Sequence, residues 1–354
     1  MAKTFYEYFG WKENPFSLKV DPDTFVGYEN QVNELKNFID EEERVALLLG
    51  PTGSGKTTLL QYLLKNYRNE NKILMYLVKP PKDKFEFRDI FLEQFPMSLF
   101  ERILKGKPTI YNLHKYVNSK LQGRHLVLLI DEAHETNVDV LEWLRVFSDQ
   151  IEKVSIIFAA LPHFENFVKE NLTTLYERVT TKVSLGSLSR TEVYLLIKKR
   201  IEKAGGDGIK PFTEEAISKI HEITGGLPRE VLKIAAKVCE YAFRNNIKEV
   251  DHTVVEEAVF EKFRTKEDIF RILDSLTPKQ RKILEILATK GPLATSDILK
   301  YIDLSEYKDR QNALRAVNNI LKRLMDMGLV KRRREGNKYI YYVIPKIEAL
   351  FVSK

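Results

Sequence analysis

The chain has 354 residues, of which 44% are hydrophobic and 30% are charged, and it carries a formal net charge of +7. Its length exceeds what one ordinary hydrophobic core accommodates, so two or three domains are expected. No apolar run approaches the ~20 residues that cross a bilayer, and the single cysteine, Cys239, excludes an internal disulfide and a cysteine-based metal site. Because its start also lacks a signal-peptide pattern, the sequence predicts a cytoplasmic protein with no membrane partner.

Residues 1–44 are rich in aromatic side chains and contain a predicted helix at about 31–40. The aromatic segments 5–11, 14–16 and 25–28 all precede the first predicted strand. In one interpretation these segments wall an adenine pocket, and in the other they form an arm that packs on the core. The residues alone favour neither interpretation.

A glycine-rich loop follows, between an apolar strand at 45–49 and a helix that begins near residue 58. It matches the pattern G-x-x-x-x-G-K-[ST] at every fixed position. Loops of this kind point backbone N–H groups at phosphates, the lysine reaches the β- and γ-phosphates, and the threonine after it ligates Mg²⁺. We therefore predict a site for ATP or ADP with Mg²⁺, in which Thr57 is a metal ligand. The loop residues are Gly50, Pro51, Thr52, Gly53, Ser54, Gly55, Lys56, Thr57 and Thr58.

An apolar strand predicted at 126–130 ends in two carboxylates, Asp131 and Glu132. At the carboxyl end of a strand beside a phosphate-binding loop, Asp131 can hold the Mg²⁺ shell. Glu132 can orient and activate the attacking water, which makes it the predicted catalytic base. His134 follows two residues later, and it either reaches the site or packs against the next helix.

Strand and helix patterns alternate up to about residue 187, which predicts an α/β domain with a parallel sheet covered on both faces. From residue 189 to about 264 the pattern is all-helical and predicts a small lid. The other elements predicted up to residue 187 are strands at 72–78, 154–160 and 181–185, and helices at about 87–95, 99–104, 110–121, 138–147 and 163–169.

Residues 277–354 form a separate, basic module. They contain 17 Lys and Arg against 8 Asp and Glu, so they carry +9 and the rest of the chain carries −2 of the total +7. Predicted helices at about 277–290, 295–302 and 308–327 precede a hairpin at 329–343 with a Gly-Asn turn. Three helices and a basic hairpin predict a winged helix-turn-helix, and the charge predicts a polyanionic partner.

The long helix of this module combines an apolar stripe with a polar face, as a recognition helix in the major groove does. Arg, Asn and Gln side chains can read base edges, whereas the Lys and Arg cluster of the hairpin suits phosphates. A protein-docking winged helix with a solvated basic face is the alternative. The candidate contacts to double-stranded DNA are Arg310, Gln311, Arg315, Asn318, Asn319, Lys322, Lys331, Arg332, Arg333, Arg334 and Lys338.

With these motifs the chain resembles AAA+ ATPases over about residues 25–265. It is similar to archaeal origin-recognition/cell-division-control initiators through its helical insertion and winged helix. It also resembles the ATPases of bacterial transposition and general secretion through segments 8–16 and 188–192. The resemblance implies that Arg178 is an arginine finger for a neighbouring subunit, hence self-association, and that Arg229 touches the γ-phosphate from the lid. Ordinary surface arginines are the alternative for both residues.

One position departs from these families. Their fourth strand ends in a polar residue that senses the γ-phosphate, but here the strand runs into Ala159, Ala160 and Leu161. Ser155 stands too early, and His163 slightly late, to replace it. We therefore expect an ATPase whose nucleotide binding is intact but whose turnover is slow, under ~1 s⁻¹.

The first functional hypothesis is a DNA-binding AAA+ ATPase of replication-initiator or loader type, whose nucleotide state controls its assembly and its grip on DNA. The alternatives are a signalling NTPase that regulates transcription and a transposition or secretion accessory ATPase. The predicted domains are an arm with the ATPase core at 1–187, the lid at 188–266 and the winged helix at 267–354.

Overall fold

A computed structural model of the chain describes residues 3–259, 272–335 and 338–343. The chain divides into two compact units, residues 1–255 and 256–354. The predicted boundaries of core, lid and winged helix, at 1–187, 188–266 and 267–354, stay predictions. Within the described residues no helix has the length and apolarity needed to cross a membrane.

The first unit is built on a parallel sheet, as predicted. In space the strands follow the order β2-β3-β4-β1-β5, and every pairing is parallel. Every residue of β1, β3 and β4 is buried, because helices cover both faces of the sheet. The strands are β1 (Val45–Leu49), β2 (Lys72–Leu77), β3 (His125–Ile130), β4 (Val154–Ala160) and β5 (Val179–Ser184).

Helices surround this sheet and continue beyond it. The insertion before β3 contains three helices, as predicted, and an all-helical stretch begins at residue 190. The helices are α1 (Phe5–Tyr8), α2 (Glu29–Asp40), α3 (Lys56–Asn66), α4 (Lys84–Gln94), α5 (Leu99–Lys105), α6 (Leu113–Leu121), α7 (Val138–Gln150), α8 (His163–Asn171), α9 (Thr173–Tyr176), α10 (Arg190–Lys203), α11 (Glu214–Thr224), α12 (Pro228–Arg244) and α13 (His252–Val259).

The edge strand β5 begins two residues before its predicted start at 181. Its ladder with β1 starts at the pair Val45–Val179 and has an irregularity at the next step. β5 alternates between half-buried and exposed residues up to the buried Val183, as expected for an edge strand. Hydrogen bonding to β1 therefore decides where it begins, and the local apolar pattern does not.

The second unit is a winged helix, as predicted, with one strand more than the predicted hairpin. Leu293–Ala294 pairs with the hairpin, so the sheet has the order β6-β8-β7. The helix predicted at 295–302 is shorter, because it passes into a 3₁₀ turn at Leu299–Tyr301. The predicted Gly-Asn turn at 336–337 lies outside the described residues. The elements are α14 (Pro278–Lys290), β6 (Leu293–Ala294), α15 (Thr295–Ile298), α16 (Arg310–Asp326), β7 (Val330–Glu335) and β8 (Lys338–Val343).

A buried histidine closes the end of the first unit's sheet that is opposite the glycine-rich loop. His125, the first residue of β3, is 2% exposed, and its Nε2 lies 2.8 Å from the Ser155 hydroxyl. That hydroxyl donates to the carbonyl of Glu43, so it accepts from the imidazole. Burial, with a smaller contribution from nearby lysines, lowers the pKa of His125 from 6.5 to about 4, although Glu42 opposes the shift.

We expect this histidine to make the first unit sensitive to acid. Between pH 6.5 and about 4 the unfolded chain binds the His125 proton and the folded chain does not, so stability rises with pH in that window. The free energy of unfolding does not change through His125 above pH ~6.5. Below that pH it falls by ~1.4 kcal/mol per pH unit, by up to about 3 kcal/mol in all.

Both tryptophans, Trp11 and Trp143, lie in the first unit, so their fluorescence reports its thermal unfolding alone. The His125→Gln variant should show a flatter dependence of melting temperature on pH than the wild type. The exposed residue His252 provides the control, because His252→Gln should keep the wild-type slope. Identical slopes for the wild type and His125→Gln would contradict the assignment.

Candidate functional site

The glycine-rich loop connects the buried strand β1 to helix α3, as the sequence predicts. Gly53 and Gly55 have backbone φ angles of +84° and +101°, which residues other than glycine rarely adopt. Gly55 caps the first turn of α3, so the free N–H groups of that helix face the loop. The local geometry is therefore that of an anion cradle.

Two further observations fit a phosphate chain in this cradle. The Ser54 hydroxyl is buried and finds no hydrogen-bond partner within the described residues. At Gly53 a Cβ atom would lie 2.6 Å from Cβ of Arg229, so only glycine allows the lid to approach this closely. The backbone N–H of Arg229 donates to the Gly53 carbonyl at 3.2 Å. The lid therefore closes directly over the loop.

Lys56, the first residue of α3, points into the loop. It is 5% exposed, and its Nζ donates to the carbonyls of Gly50 at 2.8 Å and Pro51 at 3.2 Å. Burial lowers the pKa of Lys56, while Glu132 and Asp131 partly oppose the shift. Carbonyl oxygens do not neutralise an ammonium group, so a phosphate oxygen would be a stronger partner.

The two predicted carboxylates occupy the carboxyl end of β3. Asp131 is buried and accepts a hydrogen bond from the Tyr76 hydroxyl at 3.1 Å. Burial and the nearby Asp131 raise the pKa of Tyr76, so this hydroxyl keeps its proton and donates. Glu132 is only partly buried and has φ of +48°, the left-handed conformation that opens the 3₁₀ turn Ala133–Glu135. The backbone turns sharply at the predicted catalytic base.

Thr57 and Asp131 remain the predicted Mg²⁺ ligands. The described residues contain no group of three or more His, Cys, Asp or Glu side chains that could hold a metal unaided. This donor set fits Mg²⁺, which is commonly bound through one or two protein oxygens together with substrate phosphates. The residues present therefore fit a metal that arrives with a nucleotide.

A pocket extends from the loop between three distant segments of the first unit. Its lining contains four cationic side chains, Lys19, Lys56, Arg200 and Arg229, and a single carboxylate, Glu132. A polyanion such as a triphosphate suits that charge. Apolar side chains complete the lining, namely Leu18, Val20, Phe25, Val26, Leu188, Leu196 and Leu232.

The N-terminal aromatic segments divide between a packed arm and the wall of this pocket, and a wall for adenine stays a prediction. Trp11 and Phe16 are buried and meet each other edge to face, so this part is a packed arm. In the segment from Leu18 to Tyr28, seven residues line the pocket, with Phe25 and Tyr28 among them. The buried Tyr28 donates its hydroxyl to the Gly186 carbonyl at 2.7 Å, which ties that wall to the segment after β5.

Sequence reasoning missed Arg200 of α10, which also lines the pocket. Its Nη1 donates to the Ser17 carbonyl at 3.1 Å, and its buried Nε has no partner in the part of the chain that the structure describes. Burial lowers the pKa of Arg200, and Asp21 opposes the shift. An arginine within a helical lid carries no local signal of such a role.

The predicted arginine finger, Arg178, lies between α9 and β5 and is partly buried. Its guanidinium pairs with Asp149, with Nη2 at 2.9 Å and Nε at 3.2 Å from the two carboxylate oxygens, and it also donates to the Thr174 carbonyl. Arg145 shares Asp149 and pairs with Glu142. In the isolated chain Arg178 is therefore held by its own subunit.

The end of β4 confirms the departure noted in the sequence. Ala159 and Ala160 are buried, and Ser155 lies at the other end of the strand with its hydroxyl engaged by His125. Ser155 is thus excluded as a γ-phosphate sensor. His163 opens α8 immediately beyond the strand, and its ring meets that of His134 edge-on at 5.8 Å between centroids.

In the winged-helix unit, α16 buries one face and exposes the predicted DNA contacts. Asp309 caps it by accepting from the backbone of Asn312. All six candidates on this helix, from Arg310 to Lys322, are exposed. One of them, Asn318, already has a hydrogen bond, because its Oδ1 accepts from the Thr295 hydroxyl at 2.9 Å. The buried side chains are Ala313, Val317, Leu321 and Leu324.

The strands β7 and β8, called the wing below, carry the remaining candidates. Arg332, Arg333, Arg334 and Lys338 are exposed, and Lys331 is half-buried. The Arg332 guanidinium stacks over the Tyr339 ring at 4.4 Å, and Arg333 pairs with Glu335 at 2.7 Å. Stacking leaves the charge of Arg332 available to a polyanion, whereas Glu335 partly offsets that of Arg333.

Comparison with known proteins supports both units. Residues 39–168 match the family model described as AAA domain, and residues 276–351 match the model described as penicillinase repressor. Two solved structures share the fold over nearly the whole chain. Cdc6p from Pyrobaculum aerophilum has a TM-score of 0.57 and 16% identity and covers 96% of this chain and 95% of its own. The ORC2 protein of Aeropyrum pernix has a TM-score of 0.56 and 16% identity, with 96% of each chain covered.

Three curated relatives extend the comparison. An HTH-type transcriptional regulator of Methanocaldococcus jannaschii is 30% identical over 62% of this chain and 53% of its own length. General secretion pathway protein A of Aeromonas hydrophila is 25% identical over 72% of this chain and 48% of its own length. ORC1-type DNA replication protein 2 of Archaeoglobus fulgidus is 22% identical over 94% of this chain and 89% of its own length. The chain spans about half the length of the first two.

Proposed function

We propose, from the premise that this chain is an AAA+ ATPase of ORC/Cdc6-like architecture with a C-terminal winged helix, that it binds and hydrolyses ATP and binds duplex DNA. Its nucleotide state would control assembly and the grip on DNA, as in an initiator or loader. The observation that carries the proposal is the presence, in one chain, of a cationic pocket at the glycine-rich loop and an exposed basic helix with a basic wing.

Bound ATP with Mg²⁺ supplies the phosphoanhydride bond that is cleaved. The chain's own residues bind the phosphates and the metal and act on the attacking water. The loop N–H groups and Lys56 hold the phosphates, Thr57 and Asp131 provide oxygen atoms for the metal, and Glu132 takes a proton from the attacking water. The left-handed backbone at Glu132 favours this role, because such sparsely populated conformations cluster at active sites.

Arg229 supports nucleotide sensing by the lid. Its backbone already contacts the loop, while its side chain is exposed and makes no ion pair within the described residues. We propose that this guanidinium binds the γ-phosphate when ATP is present and releases it with ADP. Since α12 starts at Pro228, such a contact would act on the whole helix.

Self-association is part of the proposal and rests on Arg178. For Arg178 to reach a neighbouring subunit's nucleotide, its pair with Asp149 must first open. Exposed ion pairs contribute little to stability, typically ~0.2–1 kcal/mol, so a phosphate can compete for this arginine. Hydrolysis should accordingly gain an assembly-dependent component that a dilute chain lacks.

A transcription regulator is the second candidate. It is favoured by the 30% identity to a relative named as an HTH-type transcriptional regulator and by the match of the winged unit to the penicillinase-repressor model. Titrations of duplex DNA with the protein, in the presence of ATP and in the presence of ADP, distinguish an initiator from a regulator. ATP-dependent multimers on DNA favour the initiator type, whereas a single dimer or monomer bound at one site in either nucleotide favours the regulator.

The same titrations test the recognition surfaces. Replacing Arg332, Arg333 and Arg334 by Ala should weaken binding to all duplexes and reduce the salt slope by up to ~1 for each phosphate that is no longer neutralised. Replacing Arg315 by Ala should cost ~1–3 kcal/mol on a preferred site and much less on random DNA, because base contacts specify and phosphate contacts only position. Arg68→Ala, an exposed arginine of the first unit, should leave both quantities unchanged. Equal DNA affinity of all variants would refute DNA binding through the winged unit.

A further inference from the structure

Glu132 has a histidine beside it that the proposed mechanism has not used. His134 Nε2 lies 3.5 Å from Oε2 of Glu132. The His134 side chain is 16% exposed, and it belongs to the 3₁₀ turn Ala133–Glu135 that follows β3. Hydrogen bonds at catalytic groups are often long until substrate binds, so this separation allows a contact that tightens.

The order of the strands places a second histidine at the same point. β4 lies between β3, which Glu132 follows by two residues, and β1, which leads into the phosphate cradle. His163 begins α8 directly beyond β4, and its ring packs at 86° against that of His134. β4 itself ends in two buried alanines, so no polar side chain of that strand end faces the site.

The two ring nitrogens of His134 have different surroundings. Its Nδ1 is buried and has no hydrogen-bond partner among the described residues. The other nitrogen, Nε2, lies 3.5 Å from the carboxylate of Glu132, which favours a proton on Nε2. A single donor on one carboxylate oxygen fixes the plane of the carboxylate and leaves the other oxygen free to accept a proton.

We infer that His134 is a positioning residue for Glu132, supported by His163, at a point where the end of β4 supplies no polar side chain. The inference rests on the proposed ATPase function. His134 donates from Nε2 to Glu132, and the edge of His163 limits the rotation of the His134 ring. The covalent chemistry is unchanged, because Glu132 alone takes the proton from water.

Kinetics provide the first test. His134→Ala should lower kcat about 10–100-fold, the usual effect of removing such an outer partner, while the Kd for ATP stays within about threefold. His134→Gln should retain more activity than His134→Ala, because the amide nitrogen can still donate to Glu132. His114 of α6 is the matched control, since it is also partly buried with an unpartnered Nδ1, and His114→Ala should leave kcat unchanged.

A second readout needs neither nucleotide nor turnover. Imidazole ¹⁵N spectra of the full chain should show His134 protonated at Nε2. In Glu132→Ala the same signal should shift toward a mixture of tautomers, because the orienting carboxylate is gone. A His134 spectrum that does not respond to Glu132→Ala would overturn the inference.

Failure of the inference differs from failure of the proposed function. If the wild type binds ATP but never hydrolyses it, the ATPase proposal fails, and the nitrogen spectra still test the contact. If the wild type turns over and His134→Ala matches it, the positioning role is wrong while the ATPase stands. Loss of ATP affinity together with kcat in His134→Ala would also overturn the inference, because it would indicate a general structural role.

Discussion

Lys56→Ala should abolish tight ATP binding, with Kd rising roughly 100-fold or more. Lys56 is buried in the loop, and its ammonium group now rests on the carbonyls of Gly50 and Pro51. Phosphate oxygens replace these carbonyls when a nucleotide binds, and each charge-assisted hydrogen bond contributes about 1.5–3 kcal/mol. Removing two such hydrogen bonds accounts for the expected change in affinity. Calorimetric titration of the variant with ATP and ADP measures it.

Lys65→Ala provides the matched control on the same helix. Lys65 is about half exposed and pairs with Asp23 at the surface, so its removal should leave the Kd within about twofold. Tryptophan-monitored melting checks that both variants stay folded. A Lys56→Ala protein whose affinity stays within about threefold of wild type would show that this loop is not the phosphate site.

Glu132→Gln should keep ATP affinity but lose roughly 10²–10⁴-fold in turnover. The amide has the size and shape of the carboxylate, but it cannot take a proton from water. Because Glu132 is partly exposed at the open end of β3, the substitution buries no new unpaired group, and the fold should be retained. Single-turnover hydrolysis with excess enzyme, alongside equilibrium ATP binding, separates the two effects.

Arg178→Ala distinguishes this loss from one that depends on assembly. Glu132 acts within its own subunit, so Glu132→Gln should be inactive at every protein concentration. Arg178→Ala should match the wild type when dilute and fall below it only in concentrated or DNA-bound protein, because the arginine serves a neighbour. Wild-type turnover by Glu132→Gln would remove this residue from the mechanism, and equal curves for Arg178→Ala and wild type would remove the trans contact.

The sequence by itself determined the elements that carry the phosphate site, because each depends on local pattern. Apolar runs such as 45–49 and 126–130 have the length and bounds of buried strands, and glycine at 53 and 55 permits the left-handed turn of the loop. The two carboxylates after β3 and the all-helical stretch after residue 189 could be located for the same reason. The charge of residues 277–354 likewise predicted a basic recognition module.

The tertiary structure alone decided which distant side chains share a site. Arg200 joins the pocket from a helix that lies far beyond Lys56 in the chain, and no periodicity in α10 marks it. The pair of Arg178 with Asp149 and the ring contact of His134 with His163 also join separate segments. Such contacts are set by strand order and by the way helices cross the sheet, so residues become neighbours through packing rather than through spacing along the chain.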